Sequence, residues 1–120
     1  MGEKRDWWET GDLIRLHFLV EGQTEESFIR DVLQPHLWTF NVISDVRSFG
    51  GGRSYQRLRG DLLRWSREDH KPEARFTSMV DFYRLPTDFP LGSGASSDPY
   101  SQVLSREAAF GADIKDHRFL

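Results

Sequence analysis

Residues 14–33 read IRLHFLVEGQTEESFIRDVL, and the fold turns on how that stretch divides. Ile14, Leu16, Phe18 and Val20 recur at every second position, the period of a strand buried on at least one face, and Leu19 adds apolar character near its end. Glu21-Gly22-Gln23 then breaks the pattern with a glycine free to take a positive φ. Thr24, followed by Glu25 and Glu26, reads as a helix N-cap with acidic residues in the first turn, where they complement the helix dipole. Phe28, Ile29, Val32 and Leu33 gather on one helical face, with Arg30 and Asp31 opposite. The unit is a strand, a tight turn and a helix.

Two carboxylates bracket that turn. Glu21 closes the strand and Glu25 opens the helix, so both lie at the carboxyl end of a strand, where open α/β sheets bind ligands. Spacing alone leaves a second reading open, in which Glu25 serves the helix dipole and Glu21 is a solvated loop residue.

The rest of the chain repeats the alternation. Residues 1–12 are polar and charged apart from Trp7-Trp8, and residues 1–13 read as an N-terminal extension outside the core. Its paired aromatics suit packing on the domain, contact with a partner chain, or base stacking. Pro35 ends or kinks the first helix between residues 33 and 36. His17, between Leu16 and Phe18, reads as a satisfied, partly buried imidazole. Val42, Ile43 and Val46 mark a second strand. After the glycine-rich loop around Gly51, Gly52 and Arg53, Ser54 caps a helix whose Tyr55, Leu58, Leu62 and Trp65 share one face. Phe76, Thr77, Met79 and Val80 form a third strand that runs into Asp81. Residues 84–99 form a long loop with three prolines, residues 101–110 resume a helical pattern, and residues 118–120 read as the start of another strand. The expected architecture is a three-layer α/β domain with a mainly parallel sheet of about four strands.

Charge is segregated. The chain carries 16 Lys and Arg against 19 Asp and Glu, but residues 47–75 hold eight basic against four acidic residues. That surplus, with Gly51, Gly52, Arg53, Arg57, Arg64 and Arg67 at its centre, makes a candidate phosphate-facing rim; a solvated helix face is the plain alternative. The absence of cysteine excludes a disulfide framework and a thiolate zinc site. No apolar run approaches a bilayer span and the N-terminus lacks an apolar signal core, so a cytoplasmic location is expected.

The segments VEGQTEESFIRDVLQPHL (residues 20–37) and MVDFYRLPTDFP (residues 79–90) resemble a bacterial domain-of-unknown-function family of Toprim-like proteins. That family is related to the Toprim domain of the overcoming-lysogenization-defect nucleases. The resemblance covers residues 15–120, and it is the pairing of EGxTEE with DxYxLPxDFP that makes it specific. It implies a Toprim-like domain over residues 14–120, phosphodiester chemistry on nucleic acid, and Mg²⁺ or Mn²⁺ as cofactor. It also implies a role in phage defence beside a partner ATPase. By the same resemblance Glu21 is the candidate general acid/base, and Glu25 and Asp81 are candidate metal ligands. The sequence departs from the Toprim pattern at Asp81-Phe82-Tyr83, where an Asp-x-Asp pair is usual; Asp88 is the candidate substitute. A further strand and an acidic segment follow residue 120 in the family it resembles, so truncation at the C-terminus is expected, with an unpaired sheet edge prone to self-association. The competing reading is a non-catalytic Toprim-like interaction module or an inactive fragment.

Overall fold

A computed structural model describes residues 13–49, 54–81, 85–91 and 98–120. Trp7-Trp8 and the loop residues Gly51, Gly52 and Arg53 lie outside them. Three strands, β1 (Ile14–Val20), β2 (Val42–Ser48) and β3 (Ala74–Met79), form a parallel sheet in the order β2-β1-β3. The register pairs Leu19 with Arg47 on one side and with Ser78 on the other. Among the described residues the sheet thus has three strands rather than four. A fourth position is begun by the chain end, where Phe119 bridges Phe76 in parallel sense, the Phe76 amide donates to Arg118 O at 2.9 Å, and the Leu120 amide donates to Phe76 O at 2.7 Å.

The chain adds β2 on one side of β1 and β3 on the other. Parallel crossovers keep one hand, so reversing the direction of strand addition moves the connecting helix to the opposite face. The core shows this. Phe18 and Val20 of β1 pack with Ile29 and Val46, flanked by Leu16, Leu33 and Leu37. Leu19, one residue out of phase, packs on the other face with Tyr55, Leu58, Leu62 and Trp65 of helix α3 (Tyr55–Glu68) and with Phe110 and Ile114 of helix α4 (Pro99–Ile114). The period of two in residues 14–20 therefore feeds two cores, giving three layers.

The first crossover departs from its expected detail. It runs as α1 (Gln23–Phe28), a π-helical turn (Ile29–Leu33) and α2 (Gln34–Trp38) without a break. Pro35 has no N–H and its ring crowds the carbonyl of residue 31; the wider turn just ahead of it accommodates both, so the helix continues to Trp38. Gly22, not Thr24, is the N-cap, and it is extended at φ −151° rather than at positive φ. The inward stripe is the buried Ile29 with the partly buried Leu33 and Leu37, whereas Phe28 and Val32 stay 44% and 51% exposed on its flank. Two of the four residues expected on the apolar face, Phe28 and Val32, thus lie outside it.

Candidate functional site

The carboxyl ends of β1 and β3 are neighbours, and the connections leave them in opposite directions, which makes the crevice between them the switch point of the sheet. Glu21 follows β1 directly. One oxygen of its carboxylate, Oε1, accepts the backbone N–H of Asp81 at 3.3 Å, so the acidic residues that end two separate strands meet there. The Ser48 hydroxyl, at the end of β2, donates to Glu21 O at 3.4 Å and ties in the third strand. Glu25 in the first turn of α1 folds back over Gly22, its Oε2 3.4 Å from where a Cβ on that glycine would lie. Glu21 and Glu25 are half-buried and Asp81 is exposed. The neighbouring Glu26 is engaged with Arg30 at 2.9 Å, a helical i, i+4 pair.

Carboxylate oxygens suit a hard divalent cation such as Mg²⁺. Among the described residues, however, no group of three or more His, Asp or Glu side chains is close enough to hold a metal ion. A cation at this edge would have to keep most of its waters and take no more than two of these carboxylates.

Asp88 has a different task from the one expected of it. Its Oδ1 accepts the Tyr55 amide at 2.7 Å, and its Oδ2 accepts the Gln56 amide at 3.2 Å and the Ser54 hydroxyl at 3.3 Å. Both oxygens cap the N-terminus of α3, and the Tyr55 amide, followed by that of Gln56, holds its carboxyl below the ordinary carboxylate range. The capping bonds satisfy helix N–H groups that would otherwise lack partners. They also pin residues 85–91, the second half of the DxYxLPxDFP signature, to the helix. Ser54 caps the same helix as expected, accepting from the Arg57 amide at 3.4 Å.

Of the candidate cations, Arg57, Arg64 and Arg67 are exposed on α3. Arg57 and Arg64 line a shallow groove of about 580 Å³ whose floor includes Gly60, where a side chain would meet nothing within 4 Å. Arg64 also contacts Asp61 at 3.3 Å, while Arg57 and Arg67 have no ion pair among the described residues. Arg47, not singled out from sequence, stacks over the Trp65 ring at 4.1 Å and, with Arg64 and Ser48, lines a neighbouring hollow. A cation one residue before the end of β2 was the available signal for it.

The polar cluster that sequence reasoning missed lies at the other end of the strands. Asp69, at the end of α3, accepts from Arg15 Nη2 at 2.6 Å, Arg15 Nε at 2.9 Å and His17 Nε2 at 2.7 Å. Arg15 Nη1 also reaches Glu73 at 3.3 Å. A carboxylate only accepts, so the His17 proton sits on Nε2. The Arg15 fork, and then His17, hold the Asp69 carboxyl far below its ordinary value. The buried Arg118 donates to the carbonyls of Ser66, Lys71 and Asp69, closing the end of α3, and lies 5.1 Å from the Phe76 ring. His17 is more buried than the partly buried, satisfied imidazole expected: it stacks on Phe76 with ring centroids 4.9 Å apart, and its Nδ1 has no partner among the described residues.

The fold and this edge define an α/β domain with acidic residues at its switch point. Residues 20–120 match the family described as Domain of unknown function (DUF4276), and the chain belongs to that family. The matched segment opens one residue before Glu21 and includes Glu25, Asp81, Asp88 and Arg118. No curated protein and no solved structure matches the chain. Among the described residues no helix is long and apolar enough to cross a membrane.

Proposed function

We propose that this protein is a Toprim-like, Mg²⁺-dependent nuclease or phosphodiester-processing domain that acts on nucleic acid in the cytoplasm. The observation that carries the reading is the contact between the Glu21 carboxylate and the Asp81 amide, which joins the EGxTEE and DxYxLPxDFP signatures at the switch point of a parallel sheet. With one oxygen of Glu21 fixed by that amide, the other takes a proton from the attacking water or returns one to the leaving oxygen of the broken P–O bond. Asp81 and Glu25 would hold the cation, which supplies Lewis-acid stabilisation of the charge that builds on the phosphate. Arg57, Arg64 and Arg67, with Gly51, Gly52 and Arg53 of the preceding loop, would hold the backbone phosphates of the substrate. A role in phage defence beside a partner ATPase completes this reading and rests on the resemblance alone.

The second reading, a non-catalytic interaction module, draws on a specific observation: no three acids converge among the described residues, and Tyr83 stands where Toprim nucleases carry a second aspartate. A cleavage assay separates the two. The parent should cut single- or double-stranded nucleic acid with Mg²⁺ or Mn²⁺, and Glu21→Gln should lower the rate by about 100-fold or more, the usual contribution of a general acid/base. A parent without metal-dependent cleavage, or a Glu21→Gln variant that cuts like the parent, supports the module instead.

A further inference from the structure

A cavity of about 250 Å³ opens beside the carboxyl edge, between the end of β3, residues 85–91 and α4. Its walls include Val80, the residue before Asp81, with Leu85, Phe89 and Val103; Arg106 and Glu107 bring polar groups to it from α4. The walls are held in place without a ligand. Phe89 packs edge-to-face on Tyr55 and Phe110 at 5.1 and 5.3 Å, and Asp88 beside it is locked onto α3 by three hydrogen bonds. Arg106 Nη1 donates to Phe89 O at 3.3 Å and Pro90 O at 3.2 Å, which fastens the loop to α4. A preformed, mostly apolar cavity with a few polar groups is the usual form of a ligand site.

We infer that this cavity is a nucleobase pocket that takes one base of the substrate strand next to the phosphate at Glu21 and Asp81, with guanine preferred; the inference rests on the nuclease reading above. Pockets for drug-sized molecules span about 300–1,000 Å³, so this one admits a single ring system with little to spare. A base is flat and apolar on its faces, which suits Phe89, Leu85 and Val103, and a flipped or single-stranded base is held by such contacts. The polar end sets the choice. Arg106 is engaged with carbonyls, whereas the exposed Glu107 has no side-chain partner among the described residues and can only accept. Guanine presents two adjacent donors, N1–H and the 2-amino group, that together match a carboxylate. Adenine offers one donor beside an acceptor, which faces the Glu107 carboxylate unfavourably.

The test is titration of the full chain in EDTA with GMP, IMP, AMP, CMP and UMP, followed by NMR or calorimetry. GMP should bind most tightly, with IMP, which lacks the 2-amino group, between it and AMP. Glu107→Gln should weaken GMP by about tenfold, the worth of a charged hydrogen bond, and remove the preference. Val103→Trp, which fills the cavity from a half-buried position on α4, should abolish binding of every nucleotide. Equal affinity for all five, or GMP binding unchanged in Glu107→Gln, overturns the inference even if Val103→Trp fails to fold. Metal-dependent cleavage sensitive to Glu21→Gln without GMP binding sinks the pocket and leaves the nuclease reading standing. Selective GMP binding without cleavage does the reverse.

Discussion

The two ends of the β1–β3 strand pair carry acids in opposite circumstances. At the amino end, Asp69 is surrounded by Arg15 and His17, Glu73 shares Arg15, and Arg118 closes the helix end above them. At the carboxyl end, Glu21 is held by a backbone amide and a main-chain tie from Ser48, and neither Glu21 nor Glu25 has an ion pair among the described residues. Acids that are neutralised by cations stabilise the folded chain and have little left to offer a ligand. Glu21 and Glu25, with no ion pair among the described residues, keep carboxylate oxygens that can still accept from a ligand. The same sheet therefore separates a structural end from a candidate chemical end.

Breaking the structural end should have the largest effect on folding. Asp69→Ala leaves Arg15 and His17 without their shared partner, and a partly buried pair broken on one side costs about 3 kcal/mol; chemical denaturation of parent and variant measures it. The same group sets the acid limit. Its folded-state pKa is depressed, so its contribution is complete above the unfolded value of about 3.9 and is lost as pH falls toward the folded value. Asp88, Asp113 and Asp116 are shifted in the same direction, by the Tyr55 amide, the Tyr55 hydroxyl and Arg118 respectively. The parent should lose stability steeply below about pH 4, and the Asp69→Ala variant less steeply, in denaturation series run from pH 7 to pH 2.

Asp88→Ala comes next. It removes the cap that links residues 85–91 to α3, so it should lower the melting temperature by less than Asp69→Ala and speed amide exchange at Tyr55 and Gln56, which exchange measurements detect. Glu21→Gln should be the mildest, within about 0.5 kcal/mol of the parent. A stability loss at Glu21 as large as that at Asp69 would erase the distinction between the two ends.

Much of the layered architecture was legible because it depends on short-range periodicity. Alternation in residues 14–20 located β1 as a strand buried on at least one face, and Tyr55, Leu58, Leu62 and Trp65 are all buried as their spacing predicts. The acidic turn was also legible, since Glu21 and Glu25 flank a strand-to-helix junction. What escaped depends on partners far apart in the chain. Arg15 and Asp69 are 54 positions apart, and Arg118 and Asp69 are 49 apart, so no local pattern pairs them. Asp88 read as a candidate substitute metal ligand, and its capping role was hidden because the helix it caps starts 33 residues upstream. The π turn escaped because Pro35 signals a disruption without saying whether the helix stops or widens. The chain end shows the opposite case, since residues 118–120 looked like an incipient strand and do pair with β3.

If the carboxyl end, unlike the amino end, takes a cation, a thermal melt with either EDTA or excess Mn²⁺ should reveal it. A ligand that binds only the folded state raises the melting temperature. The parent should melt higher with Mn²⁺, Asp81→Asn should melt at the same temperature in both conditions, and Asp69→Ala should melt lower in both yet keep the Mn²⁺-dependent rise. A parent with no rise, or an Asp81→Asn variant that retains it in full, would contradict the account.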